Sequence, residues 1–182
     1  LLATMIAQQL RYPKMKIFSF DKGCSLEALT YAVGGDHYSI GETDSESGKN
    51  LAFAPLQLIK NRSDRAWAVE WIESLMSLNG VEISPLQRNE ITAAIDNNAA
   101  NGSYSLSDLS NTLQDNNMRE VLKFYTIDGP MGYLLDATED GLSLSNFSCF
   151  EIEELMNLDN KYSLPILMYL FRRIEKALDG SP

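Results

Sequence analysis

Histidine and cysteine are nearly missing from this chain, which has one His, His37, and two Cys, Cys24 and Cys149, among 182 residues. The cysteines stand far apart, with no Cys-x-x-Cys pair and no Cys/His spacing of a zinc site. They read as two reduced, mostly buried thiols rather than as a metal finger or a disulfide framework. A lone histidine permits only one Ser–His or Cys–His couple, and His37, following Gly35-Asp36 in a turn, reads as a surface or edge residue. No apolar run approaches the ~20 residues of a membrane-spanning helix, and the opening LLATMIAQQL has no basic flank of the kind a signal peptide carries. Basic charge is also scarce: 15 Lys and Arg face 25 Asp and Glu, for a net charge of −10. A duplex-coating surface needs clustered cations to displace phosphate counterions. The balance therefore argues against direct nucleic-acid binding, short of a local basic groove.

A phosphate-binding loop is missing too. The nearest approach, SESGKN, has Thr43 where the first Gly of such a loop belongs and Asn50 where its Mg²⁺-holding Ser or Thr belongs. It also lies in an acidic stretch, ETDSESGKN, that repels phosphate and reads as an exposed loop. No nucleophile paired with a base stands out, which disfavours a small metabolic enzyme.

Against these gaps, the chain shows a clear change of texture. Met15 to Phe20 is a short apolar run followed by a polar turn, the pattern of a buried strand. Ser25 is placed to cap a helix with Leu26, Leu29, Thr30 and Val33 on one face, ended by Gly34-Gly35. HYSIG reads as a second strand, and LAFAPL as partly buried extended chain. From about Ser63 helix follows helix. Ser63 is expected to cap DRAWAVEWIESLMSL, with Trp67, Trp71, Leu75 and Leu78 on one face. Ser84-Pro85-Leu86-Gln87 fits a capping box, opening a helix that turns Ile91, Ala94 and Ile95 inward, with NNAANGS as the loop after it. Leu106, Leu109 and Leu113 mark a short helix, and Met118, Val121, Leu122 and Tyr125 another. FSCFEIE returns to strand texture. The closing SLPILMYLFRRIEKALDG is a strong helix, with Pro165 in its first turn, Ile166, Leu167, Leu170, Phe171, Ile174 and Leu178 on its apolar face, and Asp179-Gly180 as its stop. The fold class is thus α/β and helix-rich, an open sheet segment interrupted by an all-α block.

Few residues in this pattern carry chemistry. Asp21-Lys22 follows the first strand, and ligands of open α/β sheets gather at strand carboxyl ends. Asp21 is suited to ordering a water or a magnesium shell and Lys22 to facing a phosphate, although a solvated turn accounts for both equally simply. Trp67 and Trp71 share a helix face at i and i+4 and read as core or as a domain contact. Arg65 opposes the dipole of its helix start, which points to a carboxylate or phosphate partner or else to a solvated side chain. EIEEL at 151–155 reads most simply as the acidic first turn of a helix, or, because it follows a strand, as the border of a site.

Several phrases taken together, FSFDKGCSLEALTYAVGGDHYSIG, LAFAPLQ, DRAWAVEWIESL, QDNNMREVLKFYTIDGPMGYLLD, FEIEELMNL and PILMYLFRRIEKALDG, resemble the TrbE-type conjugative transfer proteins of the CagE/TrbE/VirB group of type IV secretion ATPases. The resemblance covers essentially the whole chain. It implies a RecA-like P-loop NTPase sheet domain with an inserted all-α subdomain. Residues 1–60 would be a partial RecA-like segment, 61–138 the helical insertion and 139–182 the return to the sheet. The chain begins in mid-helix without a cap and stops after Asp179-Gly180, and the resemblance places it between the phosphate loop and the acidic Walker B strand.

The same resemblance implies ATP and Mg²⁺ as cofactors of the parent but none for this stretch alone, and no catalytic residue or metal ligand within it. It makes Asp21, Lys22 and Gly23 a nucleotide-site border, Gly34 and Gly35 backbone requirements, and Arg65, Trp67 and Trp71 candidate subunit or domain contacts. Glu151, Glu153 and Glu154 match the family's acidic phrase. The parent would be a hexamer at the cytoplasmic face of the bacterial inner membrane, working with other secretion components to energise pilus assembly or substrate transfer. A non-enzymatic interaction module, docking other secretion components through the helical block, is the competing expectation.

Overall fold

Three short parallel strands organise one of the two units into which the chain divides. The computed structural model describes residues 1–12, 14–41 and 51–178. The sheet unit comprises the described parts of 1–51, 142–159 and 170–182, and the helical unit comprises 52–141 and 160–169. The helical unit thus takes in residues 52–60 and 160–169, stretches that the sequence pattern assigns to the sheet segments.

In the sheet unit, α1 (Leu2–Gln9) precedes β1 (Ile17–Asp21), α2 (Glu27–Ala32), β2 (Asp36–Ser39) and, after the helical unit, β3 (Phe147–Glu151). The order is β1-β3-β2 and both pairings are parallel, with Asp21 and Ser39 both in register with Glu151. The central strand β3 is buried at every position, as expected of a parallel strand with helices on both faces. Alternation assigns its side chains. Phe147 and Cys149 pack with Ile6, Leu10, Ile17, Leu26, Leu29 and Val33 under α1 and α2. Phe150 lies on the other face, where Phe20 and Phe150 ring centroids are 5.4 Å apart and Phe20 and Phe171 equally so.

The α2–β2 connection shows why glycine is required. Gly34 N–H donates to Tyr31 O and Gly35 N–H to Thr30 O, at 3.1 and 2.9 Å, closing the helix. A Cβ built on Gly35 would lie 2.6 Å from the Phe147 carbonyl oxygen. The strand after the helix therefore packs against β3 only without a side chain at this position.

The helical unit contains a 3₁₀ turn (Pro55–Lys60), α3 (Arg62–Leu78), α4 (Pro85–Asn101), α5 (Leu106–Thr112), α6 (Asn116–Lys123) and α7 (Gly132–Leu135). Trp71, Leu75, Ile91, Ile95, Leu109, Met118, Leu122 and Tyr125 are all fully buried, in accord with the helical periodicity. α8 (Glu153–Met156) follows β3 directly, and α9 (Asn160–Leu178) starts in the helical unit and ends in the sheet unit.

Local chemistry departs from expectation at several points. Ser84 forms the full capping box with Gln87. Ser63 does not cap α3, whose start is Asn61 in extended conformation. Ser25 does not cap α2 either; its hydroxyl is drawn to Asp21. The NNAAN of the expected loop is the last turn of α4, because the left-handed Gly102 ends that helix only after Asn101. LAFAPL is buried or half-buried as expected, and its end, from Pro55, winds into the 3₁₀ turn. Pro165 lies inside α9 rather than in its first turn. Phe171 and Leu178 remain 56% exposed, so the apolar face of α9 is only partly covered. The SESGKN stretch and the Asp179-Gly180 stop fall outside the described residues.

Candidate functional site

The carboxyl ends of β1 and β3 place two acids side by side, and each is committed to a neighbouring turn. Asp21 is buried, its Oδ1 accepting from the Ser25 hydroxyl at 2.5 Å and its Oδ2 from Leu26 N–H at 2.7 Å. Glu151, also buried, accepts from Gly23 N–H at 3.2 Å and Glu153 N–H at 2.9 Å on Oε1, and from Cys24 N–H at 2.6 Å on Oε2. The turn so gripped is unusual. Gly23 has φ of +82° and Cys24 φ of +54°, a left-handed backbone that only glycine adopts freely. Lys22 and Gly23 are exposed at its apex.

The electrostatics follow from these contacts. Burial opposes ionisation of Asp21, but the Ser25 hydroxyl, the Leu26 and Lys22 amides and the charge of His37 together hold its carboxyl below the ordinary value. For Glu151, burial is again the opposing influence and the negative Asp21 adds to it. The amides of Cys24, Glu153 and Gly23 outweigh both and pull the carboxyl down. Both groups are therefore ionised near neutrality and act as acceptors.

Each carboxylate oxygen of Asp21 accepts one hydrogen bond from the chain itself, Oδ1 from Ser25 and Oδ2 from Leu26. No group of three His, Cys, Asp or Glu side chains among the described residues converges as a metal-ligand set. Lys22 is an exposed cation at the carboxyl edge of the parallel sheet. His37 sits in the edge strand β2, half-buried, its ring 6.1 Å from that of Tyr31. Cys149 is fully buried, and that burial pushes its thiol up and away from reactivity, while Cys24 is exposed.

In the helical unit, Arg65 donates from Nε to the Ile59 carbonyl at 3.1 Å and from Nη1 to Asp96 at 2.7 Å. Trp67 stacks on Trp71 with centroids 5.9 Å apart, and Trp71 Nε1–H donates to the Pro165 carbonyl at 3.1 Å. Arg62, Arg65 and Arg88 line a groove between α3 and α4 together with Glu70 and Asp96. Much of that charge closes on itself, Arg65 on Asp96 and Arg88 on Glu73.

The sequence pattern brings Asp21, Lys22 and Gly23 to the sheet's carboxyl edge, where the structure has them. It offers Glu151 a place at a site border but no partner, and Gly23 lies 128 residues away in the chain. The one available signal is an acid ending a buried strand, and it reads more simply as the start of a helix.

No family model matches the chain. Relatives do match. The chain is 52% identical over 182 residues to a probable conjugal transfer protein TrbE of Sinorhizobium fredii, covering 100% of this chain and 28% of that protein. It is 50% identical over 184 residues to the conjugal transfer protein TrbE of Rhizobium radiobacter, covering 100% of this chain and 22% of that protein. The type IV secretion system protein virB4 of Bartonella henselae is 26% identical over 184 residues, with 97% of this chain and 22% of that protein covered. Among solved structures, VirB4 of Thermoanaerobacter pseudethanolicus superposes with a TM-score of 0.70 at 12% identity, over 96% of this chain and 53% of that one. At that identity the likeness speaks for the fold alone. The chain spans about a quarter of the length of its TrbE relatives. Along its whole length the chain is similar to a segment of the TrbE-type conjugal transfer proteins.

Proposed function

We propose that this chain is the part of a conjugative type IV secretion ATPase that scaffolds the nucleotide site without holding it. On this reading the sheet unit is part of a RecA-like P-loop domain and the helical unit is its inserted subdomain. The phosphate loop and the magnesium-handling acid belong to flanking sequence of the parent. The observation that carries the proposal is the match of the whole chain to a segment of TrbE proteins, joined to an exposed Lys22 at the carboxyl edge of the parallel sheet.

ATP with Mg²⁺ supplies phosphoryl-transfer chemistry in such a parent. The residues of this chain have lesser tasks. Lys22 faces phosphate charge, while Asp21 and Glu151 hold the turn that presents it. The parent acts as a hexamer with other secretion components at the cytoplasmic face of the inner membrane, energising pilus assembly or substrate transfer. No helix among the described residues is long and apolar enough to cross a membrane.

Two measurements test this. Calorimetric titration of the isolated chain with Mg-ATP gives no measurable binding; micromolar affinity would make the chain a nucleotide site in its own right and end the proposal. Substituting this segment for its counterpart in a full-length TrbE relative preserves ATP turnover, and Lys22→Ala in that protein weakens ATP binding.

A second reading, a docking surface for another secretion component, is favoured by the 124–133 stretch. Phe124, Ile127 and Tyr133 are 40%, 71% and 39% exposed. The loop that displays them is tied down, for Asp136 accepts from Ile127 N–H and Ser107 N–H at 2.8 and 2.9 Å. Rigid apolar groups of this kind suit an interface anchor, and the two readings are compatible in one parent.

A further inference from the structure

Successive backbone N–H groups in a tight turn make a concavity that binds anions. The Gly23–Cys24 turn is such a concavity, and its anion comes from the chain itself: the two N–H groups point at separate oxygens of Glu151, at 3.2 and 2.6 Å. The third donor, Glu153 N–H at 2.9 Å, begins α8. A single carboxylate therefore joins the β1–α2 turn to the β3–α8 junction. The left-handed conformation at Cys24, which a residue with a side chain rarely adopts, is explained by the same contact.

We propose that Glu151 is a positioning residue, the resident anion of the Gly23–Cys24 turn, and that it sets where Lys22 stands at the sheet edge. Asp21 anchors the turn from its other side through Ser25 and Leu26. Three acids thus face this locus: Asp21 from β1, Glu151 from β3 and Glu153 from α8, whose Oε2 lies 3.9 Å from where a Cβ on Gly23 would be. Only Glu151 fills the turn. Any consequence for ATP rests on the nucleotide-border reading above; the clasp itself does not.

The two cysteines provide a reporter, because Cys24 is exposed and Cys149 buried. In the isolated chain, Glu151→Ala loosens the turn. Reaction of Cys24 with a thiol-exchange reagent accelerates by about tenfold, the scale expected for losing a charge-assisted bond. Amide exchange at positions 23 and 24 accelerates in parallel. Formate, small enough to enter the vacated concavity, restores protection, whereas benzoate at equal ionic strength does not. A loss of structure unrelated to anion binding would not be rescued by formate.

Glu151→Gln keeps the volume and removes the charge, and gives an intermediate effect. Should neither variant fold, the wild-type chain still decides: the Gly23 and Cys24 amide proton shifts follow the Glu151 carboxyl titration. Unchanged exchange in both variants, absence of formate rescue, or amide shifts that ignore that titration would each overturn the proposal. In a full-length relative carrying this segment, Glu151→Gln raises KM for ATP more than it lowers kcat. A confirmed clasp with unaltered ATP kinetics would sustain the positioning role and sink the nucleotide-border reading alone.

Discussion

The Tyr125 hydroxyl donates a hydrogen bond to the Lys161 carbonyl at 2.8 Å, four residues before Pro165 inside α9. Proline has no N–H, so that carbonyl lacks its regular helical partner. A fully buried tyrosine from just beyond α6 supplies a donor in its place. The same hydroxyl accepts from Asn79 Nδ2 at 2.8 Å, and Asn79 also donates to the Leu75 carbonyl. One proline defect is thereby used to join the start of α9 to the ends of α3 and α6.

Tyr125→Phe is expected to destabilise the chain by about 1–3 kcal/mol, the cost of a lost buried hydrogen bond. Pro165→Ala restores an N–H at position 165 that competes for the Lys161 carbonyl, so the loss from Tyr125→Phe is smaller in that background. Urea unfolding of the four proteins of the cycle yields a coupling of about 1 kcal/mol. Additive effects would mean that the hydroxyl and the proline are unrelated.

Acid sensitivity follows from Glu151 and Asp21, whose folded carboxyls lie below the ordinary values of 4.5 and 3.8. A depressed folded pKa contributes stability that is complete above the unfolded value and disappears as pH falls through the folded one. Stability should therefore decline once pH drops below about 4.5, the ordinary value for Glu151. Glu151→Gln is less stable than the parent chain at neutral pH, and the gap narrows in acid. Denaturant midpoints against pH test this, and a constant gap would refute it.

Gly35→Ala places a methyl group 2.6 Å from the Phe147 carbonyl oxygen, a backbone atom that cannot step aside alone. Overpacking of this kind costs about 1–3 kcal/mol. The thermal midpoint falls accordingly, and an unchanged midpoint would show that β2 shifts freely against β3.

Ile127→Asp changes a side chain that is 71% exposed, so chain stability moves by no more than about 0.5 kcal/mol. If the 124–133 stretch anchors another secretion component, the same substitution in a full-length relative abolishes conjugal transfer while ATP turnover persists. Normal transfer frequencies would remove the docking reading.

Helices α3 to α6 were legible in the sequence because each carries its own apolar face, whereas the four-residue α7 left no such signal. Met118, Val121, Leu122 and Tyr125, for instance, are all buried as the 3.6-residue period requires. The Ser84–Gln87 capping box was legible for the same reason, since both partners lie within one turn. Where a cap is misplaced, a neighbouring group can have altered the local preference: Ser25 gives its hydroxyl to Asp21 instead of to α2. Residues 160–169 read with the sheet because helix continuity says nothing about which core a helix serves.

Local composition by itself thus determined the helical faces, the short strands and the glycine stop after α2, all matters settled within a few residues by sterics and periodicity. Tertiary structure alone decided that Glu151 fills the Gly23–Cys24 turn, that Tyr125 serves the carbonyl left over by Pro165, and that β3 lies between β1 and β2. Each of these joins groups remote in the chain. Such partners are selected by how strands and helices pack, through burial and the need to satisfy buried polar atoms, and that selection leaves no periodic trace in the sequence.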